Sequence, residues 1–205
     1  MIEINITKRI KTYKGWEDLK INTQFEIGKI TRITGPSGVG KTTLLKILAG
    51  LATPEHGLIK FNGEVWFDAK AKISKRIQER NVGFVFQDYA LFPNMTVEEH
   101  LKFGTTDIEY IEYLLELGEM GNFRSNLPEQ LSGGQQQRLA ILRALSTKPT
   151  LLLMDESFYA LDKRLKSDLL FRLQGLFSAQ GTTVLLVTHQ EEEIVGDAGV
   201  FMMEE

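Results

Sequence analysis

The 205-residue chain contains no cysteine, which excludes a disulfide framework and a thiolate-ligated metal site and agrees with a reducing compartment. It has no apolar run near the roughly 18 residues that span a bilayer. Its N-terminus, MIEINITKRI, lacks the apolar centre of a secretory signal. No charge sign dominates: 24 basic and 27 acidic residues leave a net charge of −3, so the surface as a whole does not advertise nucleic-acid binding. Internal repeats and low-complexity tracts are also missing. What is present is 42 % apolar and 25 % charged residues, an ordinary soluble composition that fills the core of one domain, or of one domain with a small insertion. A role at a membrane would therefore require binding to something embedded there.

Residues 2–7, 19–25 and 29–34 read as short, partly alternating strands. A glycine-rich break at 35–40 precedes a helix from Lys41, closed by Gly50 and followed by Pro54. Strands at 57–61 and 64–68 turn at Asn62-Gly63, and VGFVF at 82–86 reads as a buried strand. Helices are expected at 96–103 and 107–117, and a third of about a dozen residues follows LSGGQ and ends near Lys148-Pro149. TLLLM (150–154) and TTVLLV (182–187) are continuous apolar strands, the pattern of a parallel sheet covered on both faces. The helix between them carries Leu161, Leu165, Leu169, Leu173, Leu176 and Phe177 near one face, and 199–203 is a last strand. Strand and helix alternate in the second half, which argues for an α/β core.

GPSGVGKT, Gly35 to Thr42, satisfies G-x-x-x-x-G-K-[ST] between a strand-like and a helical segment. Glycines let the backbone curl round an anion so that successive N–H groups point inward, and the following helix adds its positive end. Lys41 can reach outer phosphates and the Thr42 hydroxyl can ligate Mg²⁺. This loop implies a nucleoside triphosphate without choosing among kinases, switches and motors. A second glycine loop, Ser132-Gly133-Gly134, opens a helix rich in Gln, Arg, Leu and Ala and is also built to read an anion. The apolar run LLLM delivers the paired acids Asp155 and Glu156.

LSGGQQQRLAILRAL (131–145) resembles the signature of the ATP-binding-cassette (ABC) ATPases, and the other motifs follow in that family's order. Gln87 ends VGFVFQ as the Q-loop glutamine does, LLLMDE resembles the Walker B strand, Tyr159-Ala160-Leu161-Asp162 resembles the D-loop, and His189 in VTHQ resembles the switch histidine. The resemblance covers essentially the whole chain. It implies a P-loop NTPase fold of the α/β class: a mostly parallel sheet core with an antiparallel β part and a small helical subdomain. In that reading 1–205 is one ABC ATPase domain, with 1–86 and 148–205 forming the core, 87–147 the helical signature part, and no room for a C-terminal regulatory domain.

The site residues implied are these. ATP is held by Gly35, Pro36, Ser37, Gly38, Val39, Gly40, Lys41, Thr42 and Thr43, and its base stacks on an aromatic from the first strands, Tyr13, with Trp16 nearby. Mg²⁺ is held by Thr42, Gln87 and Asp155. Glu156 is the general base that polarises the attacking water, assisted by Gln87 and His189. Two copies face head to tail, so that Ser132, Gly133, Gly134 and Gln135 of one, with the D-loop Asp162, act on ATP in the other. His56 and His100 read as surface residues without a role.

RNVGFVFQDYALFPNMTVEEHL (80–101) resembles importer ATPases for sugars, polyamines, iron and oxyanions, and FNGEVWFD the molybdate branch. The implied partner is a transmembrane permease whose short helix docks in a groove, with Phe92, Pro93, Met95 and Val97 supplying apolar contacts. An extracytoplasmic solute-binding protein is an indirect partner, no nucleic acid is expected, and the chain would lie on the cytoplasmic face of the cell membrane. The alternatives are a soluble non-transport ABC ATPase and a lipoprotein-release or export ATPase; a P-loop kinase fits less well, having no use for a signature loop. Ser157 stands where similar proteins have Pro, and Tyr159 where they have a small residue. The expectation is intact hydrolysis with altered communication between the two sites.

Overall fold

The computed structural model describes residues 1–12, 15–156, 158, 163–188 and 198–204, with backbone alone at 163–165. Ten strands and five α-helices appear among them. An antiparallel sheet has the order β2-β1-β4-β5-β6, from β1 (Ile2–Thr12), β2 (Gly15–Phe25), β4 (His56–Phe61), β5 (Glu64–Asp68) and β6 (Ile73–Ser74). A parallel sheet has the order β10-β3-β9-β8-β7, from β3 (Ile30–Thr34), β7 (Val82–Val85), β8 (Leu151–Asp155), β9 (Thr183–Val187) and β10 (Gly199–Met202). The helices are α1 (Lys41–Ala49), α2 (Val97–Lys102), α3 (Ile108–Leu117), α4 (Gly133–Ser146) and α5 (Lys163–Gln180). Among the described residues no helix is long and apolar enough to cross a membrane.

The parallel sheet divides two cores, and its strands alternate between them. Leu151, Leu153, Leu185 and Val187 join the core that holds α1 and the antiparallel sheet. Leu152, Met154, Val184 and Leu186 join the core that holds α2 to α5. Every residue of β8 and β9 is buried, because a strand covered on both faces has no solvent side. Leu153 has no exposed surface, and truncating it to Ala would cost about 2–5 kcal/mol. The expectation for α5 holds where it is described, since Leu169, Leu173, Leu176 and Phe177 are all buried; Leu161 and the Leu165 side chain lie outside the description.

The first two strands are longer than the sequence pattern suggests. Alternating Ile2, Ile4 and Ile6 are buried, but KRIKT and GWED are charged on both faces and carry no period. They are strands because they pair with each other, from Ile2↔Phe25 to Thr12↔Gly15. Glu55 pins the middle of the hairpin by accepting from Lys8 Nζ at 2.8 Å and from the Arg9 amide at 2.9 Å.

Helix ends follow local chemistry. Thr96 and Glu99 cap α2 reciprocally, Asp107 caps α3, and α1 stops at the left-handed Gly50. Arg80, almost wholly buried, donates to the last carbonyls of α1, Ile47 at 2.8 Å and Leu48 at 3.0 Å. Those carbonyls have few intrahelical partners, so the guanidinium satisfies them.

Candidate active site

The residues between β3 and α1 form a tight loop. Gly35 takes φ +142°, and a Cβ there would sit 2.4 Å from the Met203 carbonyl oxygen. Gly40 takes φ +104° as the N-cap of α1, with no side chain capping the helix. The first amides of α1 are therefore open to an anion, with the helix dipole behind them. Lys41 is buried and folds back over the loop, donating to Gly35 O at 2.7 Å and Pro36 O at 2.8 Å. Burial pulls its ammonium below the ordinary lysine pKa, while the charges of Glu156 and Asp155 oppose that pull.

β8 ends beside this loop. Thr42 Oγ1 donates to Asp155 Oδ1 at 3.1 Å. Burial raises the Asp155 carboxyl above the ordinary aspartate range, and the neighbouring Glu156 charge raises it further, against the Thr42 bond. Glu156 has φ +50°, a left-handed geometry uncommon outside glycine, and its amide donates to Val187 O at 3.1 Å. That tie to β9 turns the chain sharply out of β8. Gln87, just after β7, donates from Nε2 to Glu156 Oε2 at 3.0 Å. Four residues from three separated segments thus meet at the end of the parallel sheet.

The Thr42 hydroxyl and Asp155 carboxylate are hard oxygen donors on one spot, the set that Mg²⁺ accepts when phosphates and waters complete its shell. Among the described residues no cluster of three His, Cys, Asp or Glu forms a self-sufficient metal cage. A cavity of about 530 Å³ opens between the phosphate loop and the β1–β2 hairpin, with Ile10, Thr12, Glu17, Leu19, Ser37 and Val39 in its wall. It has room for a base and ribose beside the loop that would hold the phosphates.

The second glycine loop is a capping box. Ser132 Oγ accepts from the Gln135 amide at 3.4 Å, and Gln135 Oε1 accepts from the Ser132 amide at 2.8 Å, leaving Ser132 and Gly133 exposed. The helix it opens packs in the core opposite to the one that holds α1. The phosphate loop and the signature thus belong to helices on opposite faces of the parallel sheet.

Residues 19–159 match the family model described as ABC transporter. The chain belongs to the ABC transporter family. The sulfate/thiosulfate import ATP-binding protein CysA of Mesostigma viride is 42 % identical over 197 residues, 92 % of this chain and 54 % of that protein. CysA of Neisseria meningitidis serogroup A is 41 % identical over 205 residues, 94 % of this chain and 56 % of that protein. This cassette thus spans about half the length of those relatives, at 54 % and 56 %. Among solved structures, the dimeric bacterial ABC transporter cassette MJ0796 superposes with a TM-score of 0.77 at 32 % identity, covering 93 % of this chain and 88 % of that one. The same cassette in a dimeric post-hydrolysis state bound to ADP and Pi gives a TM-score of 0.78.

Of the site residues expected from the sequence, Thr42, Asp155, Glu156 and Gln87 are brought together, and Lys41 is placed over the loop. Tyr13, Asp162 and His189 lie outside the described residues, as do Ser157 and Tyr159. Trp16 is 63 % exposed, with the Arg9 guanidinium 5.6 Å from its ring centre.

Two expectations are corrected. Val97 has no exposed surface and packs in the helical core one turn before Leu101, so it cannot meet a permease helix. An apolar groove of about 360 Å³ is walled by Phe84, Phe86, Phe92, Phe103, Arg143 and Ala144; Pro93 and Met95 lie outside that wall. His100 is not a surface residue: it is fully buried, because position 100 falls on the same helical face as Val97 and Leu101. That spacing was the signal that could have found it. Arg143, in the last turn of α4, carries no local sequence signal, because its partners Tyr89 and Ala90 come from a distant segment.

Proposed function

We propose that this cassette is the ATP-binding and ATP-hydrolysing subunit of an importer, working through a separate membrane permease. The observation that carries the reading is the pair of hydrogen bonds Thr42–Asp155 and Gln87–Glu156, which sets a metal-binding carboxylate and a water-activating one side by side. The loop 35–43 holds the phosphates through its amides, and Lys41 turns from its own loop carbonyls to the outer phosphates. Asp155 and Thr42, with Gln87, would hold Mg²⁺, which when bound would neutralise phosphate charge. Gln87 orients the Glu156 carboxylate, which takes the proton of the attacking water. His189 stabilises the transferring phosphoryl group, and Tyr13 stacks on the base. Phosphoryl transfer asks mainly for such positioning and charge stabilisation.

The working unit is a head-to-tail homodimer. Ser132, Gly133, Gly134 and Gln135 of one copy close on the ATP of the other, with Asp162 at the crossing. The separation of α1 and α4 by the sheet supports this, because each loop then faces a different nucleotide. In this reading 1–86 and 148–205 form the nucleotide core and 87–147 the helical part. The groove walled by Phe84, Phe86, Phe92 and Phe103 receives the permease helix at the cytoplasmic face of the membrane. The cargo is a tetrahedral oxyanion, the class of the sulfate and thiosulfate in the relatives' names, delivered by an extracytoplasmic binding protein.

The test has two arms. Purified chain should release phosphate from ATP only with a divalent cation, and affinity purification from membranes should bring a permease with it. Absence of turnover would sink the enzymatic reading. Recovery of ribosomes or nucleic acid alone would favour the soluble alternative.

A further inference from the structure

The segment between Gln87 and Phe92 joins the proposed catalytic carboxylate to the proposed permease groove, and its shape is unusual. Tyr89 and Ala90 are consecutive non-glycine residues with φ +63° and +46°. Each such residue costs about 1–2 kcal/mol in isolation. Strain of this kind persists only where the surroundings over-determine it, and here two side chains from other elements do so. Arg143 of α4 donates to Tyr89 O at 3.0 Å and also to Ala90 O, with its guanidinium 5.4 Å from the Phe92 ring centre. His100 of α2 accepts the Phe92 amide hydrogen at Nε2, at 2.9 Å.

The second nitrogen of His100 settles its proton. Nδ1 lies 2.8 Å from the Thr96 carbonyl oxygen, which can only accept, so Nδ1 carries the hydrogen and Nε2 the lone pair. The ring lies 5.7 Å from that of Phe92, which in turn meets Phe103 at 5.3 Å. A charged imidazolium would present N–H to N–H and lose the Phe92 bond.

We propose that His100, with Arg143 opposite, is a positioning residue that holds the 88–92 turn so that Gln87 stays on Glu156 and Phe92 stays in the groove, and that it can do so only as a neutral ring. The proposal rests on the functional reading above. The charged groups facing the ring are Arg143 from α4 and Glu99 from its own helix. Burial lowers the His100 pKa and Arg143 lowers it further, against the Thr96 carbonyl and Glu99. The turn is therefore set at neutral pH and loosens as pH falls below the ordinary histidine value of about 6.5.

The experiment compares wild type, His100→Gln, His100→Leu and Arg143→Met as full chains. Gln offers a neutral acceptor near the Nε2 position; Leu offers bulk alone. Hydrogen exchange of a peptide covering 88–96, corrected for intrinsic rates, should rise about five- to tenfold in His100→Leu, the range one net hydrogen bond contributes, and stay at the wild-type level in His100→Gln. Lowering pH from 7.5 to 5.5 should loosen the peptide in wild type but not in His100→Gln. In ATP turnover, His100→Leu and Arg143→Met should lose about ten- to hundredfold in kcat with KM for ATP unchanged, because the phosphate loop is untouched. Exchange at 88–96 unchanged in His100→Leu overturns the proposal. So does an acid response in His100→Gln equal to that of wild type, or a kcat loss matched only by a fall in the folded fraction. A wild-type chain without turnover defeats the functional reading instead, and the exchange data then decide the role of His100 alone.

Discussion

Gly35 and Gly40 hold φ values of +142° and +104° in the phosphate loop, and Tyr89 and Ala90 hold +63° and +46° in the turn after Gln87. Both segments need a backbone that ordinary residues resist. In the first, glycine supplies it locally and leaves the start of α1 without a side-chain cap, open to a ligand. In the second, the strain is offset by Arg143 and His100, which lie 53 and 10 positions from Ala90 along the chain (143 − 90 and 100 − 90). A loop shaped by its own residues can bind and release a nucleotide without changing its frame. A turn shaped by two neighbouring helices moves when those helices move, which suits a segment between the proposed catalytic carboxylate and the proposed partner groove.

The contrast can be broken at several points. The largest effect is expected from Lys41→Ala: removing a charge-assisted partner of the phosphates should weaken ATP binding about 100-fold, measured by calorimetry. Next come exchanged residues. Gly40→Ala should destabilise the chain by about 1–3 kcal/mol, since it forces Ala to φ +104° and puts a Cβ 2.8 Å from a Leu19 methyl. Ala90→Gly should do the opposite and raise the Tm by about 2–4 °C, the shift about 1 kcal/mol gives at this size. A lower Tm for Ala90→Gly would mean that the turn carries no strain. The smallest effect concerns pH. Burial raises the Asp155 pKa, so its ionised form is less stable in the folded chain than in the unfolded one. The nucleotide-free chain therefore loses stability as pH rises from about 3.9 through the raised value. Asp155→Asn should remove that loss, melting higher than wild type at neutral pH with the difference vanishing in acid. With Mg-ATP added wild type should gain more than Asp155→Asn.

Legibility in the sequence follows the same division. β8 and β9 could be read because strands buried on both faces leave uninterrupted apolar runs. The phosphate loop could be read because its glycines sit at fixed spacing, and Asp155 and Glu156 because they end such a run. The outer half of the β1–β2 hairpin could not, since pairing rather than side-chain periodicity makes it a strand. The left-handed Glu156 and the Gln87–Glu156 bond depend on segments that meet only in three dimensions. His100 looks solvated among its charged neighbours, although its spacing from Val97 and Leu101 puts it on the buried face of α2.

Glu156, held by Gln87, is proposed as the general base of a site completed by a second copy. The most direct measurement is light scattering after size exclusion of Glu156→Gln with Mg-ATP, alongside phosphate release. A stable dimer retaining ATP is expected, with turnover reduced about 10²–10⁴-fold. A Glu156→Gln chain that stays monomeric with ATP bound, or hydrolyses at the wild-type rate, would contradict it.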